Sequence, residues 1–177
     1  MEKNNINTPL NNKKILKNYV IIVFLTVFGL AVDLVLKTAF TGKYYGLIDG
    51  VVSIFYTENT GAGFSVLSNS TTFLTILTAV ILLALIVVNV FIKPQSKAYA
   101  IGMGLVLAGA VGNLVDRIFL GYVRDFVKLE FMDFPIFNFA DVCLTVGAVV
   151  LCCVLLFSKQ GKEKKEKYIK DLENYVC

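Results

Sequence analysis

The chain has 177 residues, 56% of them hydrophobic and only 17% charged, with a formal net charge of +4. That balance excludes an ordinary water-soluble domain and fits one compact integral membrane protein. Histidine is absent, which excludes Ser-His and Cys-His nucleophile pairs and any His-ligated zinc. No metal and no cofactor is expected, and nothing points to nucleic acid. Cys143, Cys152, Cys153 and Cys177 lack C-x-x-C spacing and read as small packing residues rather than a disulfide framework.

In chain order, residues 1–18 are polar and carry Lys3, Lys13, Lys14 and Lys17. The apolar run 19–40 is too long for a signal-peptide core and lacks a small-residue cleavage site, so it predicts a retained membrane helix. Asp33 and Lys37 lie near its far end, and their spacing of four puts them on one helical face. Residues 41–70 change character. The 51–56 segment has strand composition, and Asn59 to Ser65 is a small-residue turn that permits close backbone approach. The run 71–92 is uncharged and long enough for a hydrocarbon core of about 30 Å. Pro94 stops it.

The run 98–120 is rich in glycine and alanine, as close helix packing requires. Its far end carries Asn113, Asp116 and Arg117. Asn113 and Arg117 share a face, with Asp116 one residue off that line. Ionisable groups there are expensive and point to a site. The 122–129 segment alternates like a short strand, which places Asp125 with Val123 and Val127 and opposite Arg124 and Lys128. The last run, 137–157, opens on Asn138 and Asp141. Those two read either as a helix cap with an acid in the first turn or as part of a site. A charged tail, 158–177, closes the chain.

Lysine and arginine placement orients the spans. The N-terminal segment, the 93–97 turn and the tail hold twelve lysines, whereas the other two loops hold only Lys43, Arg124 and Lys128. The expectation is an all-α membrane protein of four transmembrane helices, a small extracytoplasmic β-rich segment and both termini in the cytoplasm. Residues 1–157 form its single domain. That topology gathers the unusual polar residues in one layer at the outer interface. Two acids meeting there suggest a carboxyl pair sharing one proton. A proton relay in a small transporter and a non-catalytic scaffold are the competing readings.

Five pieces in order resemble the lipoprotein signal peptidase (signal peptidase II) family. They are Asp33 with Lys37; Asn59-Thr60-Gly61-Ala62-Gly63-Phe64; the 109–117 stretch ending in Asn113-Leu114-Val115-Asp116-Arg117; Val123-Arg124-Asp125-Phe126; and Phe137-Asn138-Phe139-Ala140-Asp141. Arg124 stands where that family often has an apolar or small residue. The resemblance implies a monomeric aspartyl endopeptidase of the bacterial cytoplasmic membrane. It would cut diacylglyceryl-modified prolipoproteins before the lipidated cysteine, among membrane lipids. It also implies Asp125 and Asp141 as the catalytic pair. Asp33, Lys37, Asn59, Gly61, Asn113, Arg117, Asn138 and Ala140 would bind substrate or support the site.

Overall fold

The structure, a computed structural model, describes residues 9–61, 70–94 and 96–157. The expected charged tail, Lys3, Cys177 and the Ala62-Gly63-Phe64 part of the loop motif lie outside them. The elements are α1 (Pro9–Phe40), β1 (Tyr44–Ile48), β2 (Val52–Asn59), α2 (Thr71–Ile92), α3 (Lys97–Leu120), β3 (Val123–Leu129) and α4 (Phe139–Phe157). All four helices are long and apolar enough to cross a membrane. Val23, Phe24, Val27 and Phe28 on α1, Leu83 on α2 and Leu155 on α4 face outward, as lipid-facing side chains do.

Two boundaries differ from the sequence reading. Helix α1 starts at Pro9, ten residues before the apolar run, so its first turns are polar helix. Proline at a first helical position costs nothing, because the missing N–H has no partner there anyway. Helix α4 starts at Phe139, because Phe137 is still bridged to Val127 in an antiparallel pair.

Helix α3 is the centre of the bundle and packs on both α1 and α4. Its small residues explain this. A Cβ on Gly109 would stand 2.3 Å from the carbonyl oxygen of Ala140, so only glycine lets the opening of α4 come this close. Helix α2 packs chiefly on α3. At the end remote from the sheet, Asn18 donates to the Pro94 carbonyl at 2.7 Å and the Tyr19 hydroxyl donates to the Asn89 carbonyl at 3.0 Å. These bonds fasten α1 to the end of α2 and the turn beyond it.

The strands form one antiparallel sheet in the order β1-β2-β3. Strand β1 falls in the 41–50 region, for which the composition predicts no strand. It is exposed along its whole length, so no buried face imposes an alternation. Strand β3 departs from simple alternation too: Phe126 is buried next to Asp125, under Phe40 of α1 with ring centroids 5.0 Å apart. Gly121, at φ +81° and with its N–H on the Arg117 carbonyl, caps α3 in the left-handed conformation. That residue turns the chain back so that β3 returns along the last turn of α3.

Candidate active site

The end of α3, the opening of α4 and the sheet enclose an open pocket of about 700 Å³. Asp125, Asp141, Asn59, Gly61, Asn113 and Arg117 line it. The other four expected residues, Asp33, Lys37, Asn138 and Ala140, are buried and support it from behind. All ten therefore belong to one assembly, although they come from α1, the end of β2 and the loop after it, α3, β3, and α4 with the residue before it.

Asp125 enters from β3. Its Oδ1 accepts from Asn138 Nδ2 at 2.6 Å and its Oδ2 from Asn59 Nδ2 at 2.8 Å. Burial, and after it the nearby Asp141 carboxylate, push Asp125 up to about 7. Two charged carboxylates this close oppose each other, and the more buried one gives way.

Asp141 enters from the first turn of α4. Its Oδ2 accepts the Asn138 backbone N–H at 3.1 Å, while the Asp141 N–H donates to Asn138 Oδ1 at 2.9 Å. This is a reciprocal helix cap, so the helix-cap reading of Asn138 and Asp141 is correct. It does not exhaust Asp141, because Oδ1 accepts from Asn113 Nδ2 at 2.8 Å on the pocket side. One carboxyl caps the helix with one oxygen and faces the pocket region with the other.

Behind the pocket, Asp33 on α1 accepts the Ala140 N–H through Oδ1 at 2.9 Å. It thus satisfies a second orphan donor at the start of α4. A Cβ on Gly112 would stand 2.5 Å from Asp33 Oδ2, so glycine there makes the approach possible. The expected Asp33–Lys37 pair forms at 2.8 Å with both side chains buried. Lys37 Nζ also reaches Asn113 Oδ1 at 3.0 Å and Asp116 Oδ2 at 3.3 Å.

The sequence reading placed Asp116 one residue off the line of Asn113 and Arg117 and gave it no role, and the structure shows why it is there. Asp116 is buried and pairs with Arg124, whose Nη2 lies 2.7 Å from Oδ1 and whose backbone N–H donates to Oδ2 at 3.0 Å. The strand residue before Asp125 is thereby bolted to α3. The signal was the unusual Arg124 itself, a cation in need of an anion. Arg117 donates through Nη2 to the Gly61 carbonyl at 3.2 Å, and its buried Nε has no partner among the described residues. Together with Phe137, Pro135, Ile136, Val142 and Val146, which no motif marked, give the pocket an apolar wall.

A family model described as Signal peptidase (SPase) II matches residues 25–157. The chain belongs to the signal peptidase II family. The matched region holds every site residue described above, and the five-motif resemblance is thereby shown. Curated relatives in this family include the lipoprotein signal peptidase of Enterococcus faecalis, 38% identical over 70% of this chain and 78% of that one. That of Lactococcus lactis subsp. cremoris is 37% identical over 85% of this chain and 99% of its own length. A solved structure described as a bacterial membrane enzyme is 35% identical, with a TM-score of 0.67 over 79% of this chain and 87% of the other. A second structure with the same description is 34% identical, with a TM-score of 0.65 over 81% and 94%. As a signal peptidase II, this chain is a multi-pass bacterial membrane protein and a protease. Among the described residues its fold is mostly helical, with four helices long and apolar enough to cross a membrane and one small antiparallel sheet.

Proposed function

We propose that the chain is an aspartic-type endopeptidase in which Asp125 and Asp141 share one proton over a water molecule. The supporting observation is the placement of these two carboxyls. They reach one pocket from a strand and a helix opening, and asparagine amides hold both. The substrate is a prolipoprotein carrying a diacylglyceryl cysteine, cut on the N-terminal side of that cysteine. The apolar wall from Pro135 to Val146 suits a site that admits substrate and acyl chains from the bilayer.

In this mechanism buried Asp125 keeps the proton and half-exposed Asp141 is the base. Asp141 takes a proton from water as the water oxygen bonds to the scissile carbonyl carbon. Asp125 gives its proton to the carbonyl oxygen, which forms a neutral tetrahedral diol. Asp141 then returns its proton to the departing amine as the C–N bond breaks. One diol hydroxyl gives its proton back to Asp125 and becomes the carbonyl of the new acid. Both carboxyls end in their starting protonation states, and no covalent enzyme intermediate forms. Arg117, which lines the pocket, takes a substrate backbone carbonyl.

The lysine distribution supports placing the sheet on the extracytoplasmic side of the cytoplasmic membrane, with both termini inside. A monomer with one peptidase domain in residues 1–157 completes the proposal. The test is cleavage of lipid-modified and unmodified precursors, side by side, by the wild type and by Asp125→Asn and Asp141→Asn variants that insert normally. Turnover of the lipid-modified precursor by the wild type alone is expected. Turnover by either variant would remove that residue from the chemistry.

A further inference from the structure

Each of the three asparagines that touch the acid pair has its amide oxygen tied down. Asn59 Oδ1 accepts the Gly61 N–H at 2.9 Å, and Asn138 Oδ1 accepts the Asp141 N–H at 2.9 Å. These two anchors are backbone groups. The oxygen fixed in this way leaves the NH2 end of each amide to face a carboxylate, since the reversed amide would set donor against donor.

Asn113 is held differently. Its Oδ1 accepts from Lys37 Nζ at 3.0 Å and from Asn138 Nδ2 at 3.1 Å. Its NH2 then donates to Asp141. The strongest anchor of this amide is a side-chain ammonium, which only donates and so fixes the oxygen toward itself.

Lys37 is fully buried, a costly place for a cation. Its surroundings are nevertheless balanced in charge: Asp33 and Asp116 face Lys37 and Arg124. Fold stability alone does not call for this arrangement, because apolar residues of similar volume replace buried ion pairs at little or no loss. Asn113 is what connects the quartet to the pocket.

We propose that Lys37 is a positioning residue for catalysis, acting through Asn113. Its ammonium fixes the polarity of the Asn113 amide, and that amide holds Asp141 as the ionised acceptor of the water proton. Without the ammonium, the Asn138 NH2 is the one donor left on the Asn113 oxygen among the contacts described, and the amide more often turns that oxygen toward Asp141, a geometry that only a protonated Asp141 satisfies. Arg117 and Asp125 are the other charged or titratable groups facing Asp141. The inference rests on Asp141 being the base.

The experiment compares Lys37→Met with the double variant Asp33→Asn/Lys37→Met, purified as the full chain with its melting temperature measured. The double variant preserves the local charge balance and leaves an amide oxygen at position 33 for the Ala140 N–H. With a lipid-modified precursor, kcat of the double variant is expected to fall about 10- to 100-fold, part of what a well-set base contributes. KM should hold, and the acidic limb of the rate–pH profile should move to higher pH. A double variant with wild-type kcat and an unmoved profile overturns the proposal. So does a loss of rate that tracks melting temperature with no change in profile. Asp141→Asn is the separate control: turnover by that variant would defeat the base assignment itself and leave the Lys37–Asn113 contact without a catalytic role.

Discussion

Asp33 and Ala140 lie 107 residues apart, yet the carboxylate of the first accepts the backbone N–H of the second at 2.9 Å. The same carboxylate is the near partner of buried Lys37. Asp33→Ala removes a cap contact of about 1 kcal/mol and strips a buried cation of its main partner, a loss of about 3–5 kcal/mol. Asp33→Asn keeps an acceptor for Ala140 and loses only the charge. Thermal unfolding in detergent should therefore rank wild type above Asp33→Asn and Asp33→Asn above Asp33→Ala. Equal melting temperatures for the two variants would show that the cap contact contributes nothing.

Arg124 is the clamp between the strand that carries Asp125 and the end of α3. Its side chain is 15% exposed and meets a carboxylate that is 1% exposed. Hydrogen bonds to charged groups of this kind contribute about 1.5–3 kcal/mol. Arg124→Ala should lose stability in that range, and peptidase activity should fall with it, because Asp116 is left short of a partner and β3 is loosened. Amide exchange in β3 should rise more than exchange in α2. Unchanged exchange would mean that the backbone ladder with β2 holds the strand unaided.

Asp125 makes stability and rate depend on pH in the same direction. Its proton is held up to about pH 7 in the fold, against an ordinary value of 3.8. Between those values the folded chain binds more protons than the unfolded one, so stability falls as pH rises. The contribution is complete below the ordinary value and is gone once pH passes through about 7. Melting temperature from pH 5 to pH 9 should drop more steeply for the wild type than for Asp125→Asn. In the proposed mechanism the rate falls over the same upper range. Parallel melting curves for the two proteins would show that Asp125 titrates normally.

Backbone proximity at α3 can be tested without touching a polar group. Gly109→Ala places a methyl 2.3 Å from the Ala140 carbonyl oxygen, and Gly112→Ala places one 2.5 Å from Asp33 Oδ2. Overpacking of this size costs about 1–3 kcal/mol and pushes the opening of α4 away from the pocket. Gly46→Ala is the control, since its methyl lies 3.5 Å from the nearest side-chain atom. Activity should survive the control and drop in the other two. Full activity in Gly109→Ala would show that α4 has room to shift.

The site was readable where a polar residue interrupts an apolar run, as Asn113, Arg117 and Asp141 do, because the surroundings make the exception costly. It was also readable at Asp33 and Lys37, where helical spacing alone brings the pair together. The role of Asp116 was not readable because its partner comes from beyond the Gly121 turn, and periodicity along α3 says nothing about what returns beside it. Strand β1 left no pattern because neither face is buried and Gly46 interrupts its composition. The polar start of α1 was missed because hydropathy marks where lipid begins, not where the helix does. Apart from Phe137 the apolar pocket wall carries no motif, since Val142 and Val146 look like any membrane-facing valine.

One acid rides on a strand and the other on a helix, and the Asn138 side chain is what ties them together. On the proposed mechanism a newly inserted chain is inert until its three-stranded sheet has settled on the bundle, so a half-assembled protease does not attack the proteins made alongside it. A small molecule that wedged the sheet away from the helices would silence it without ever occupying the substrate's place.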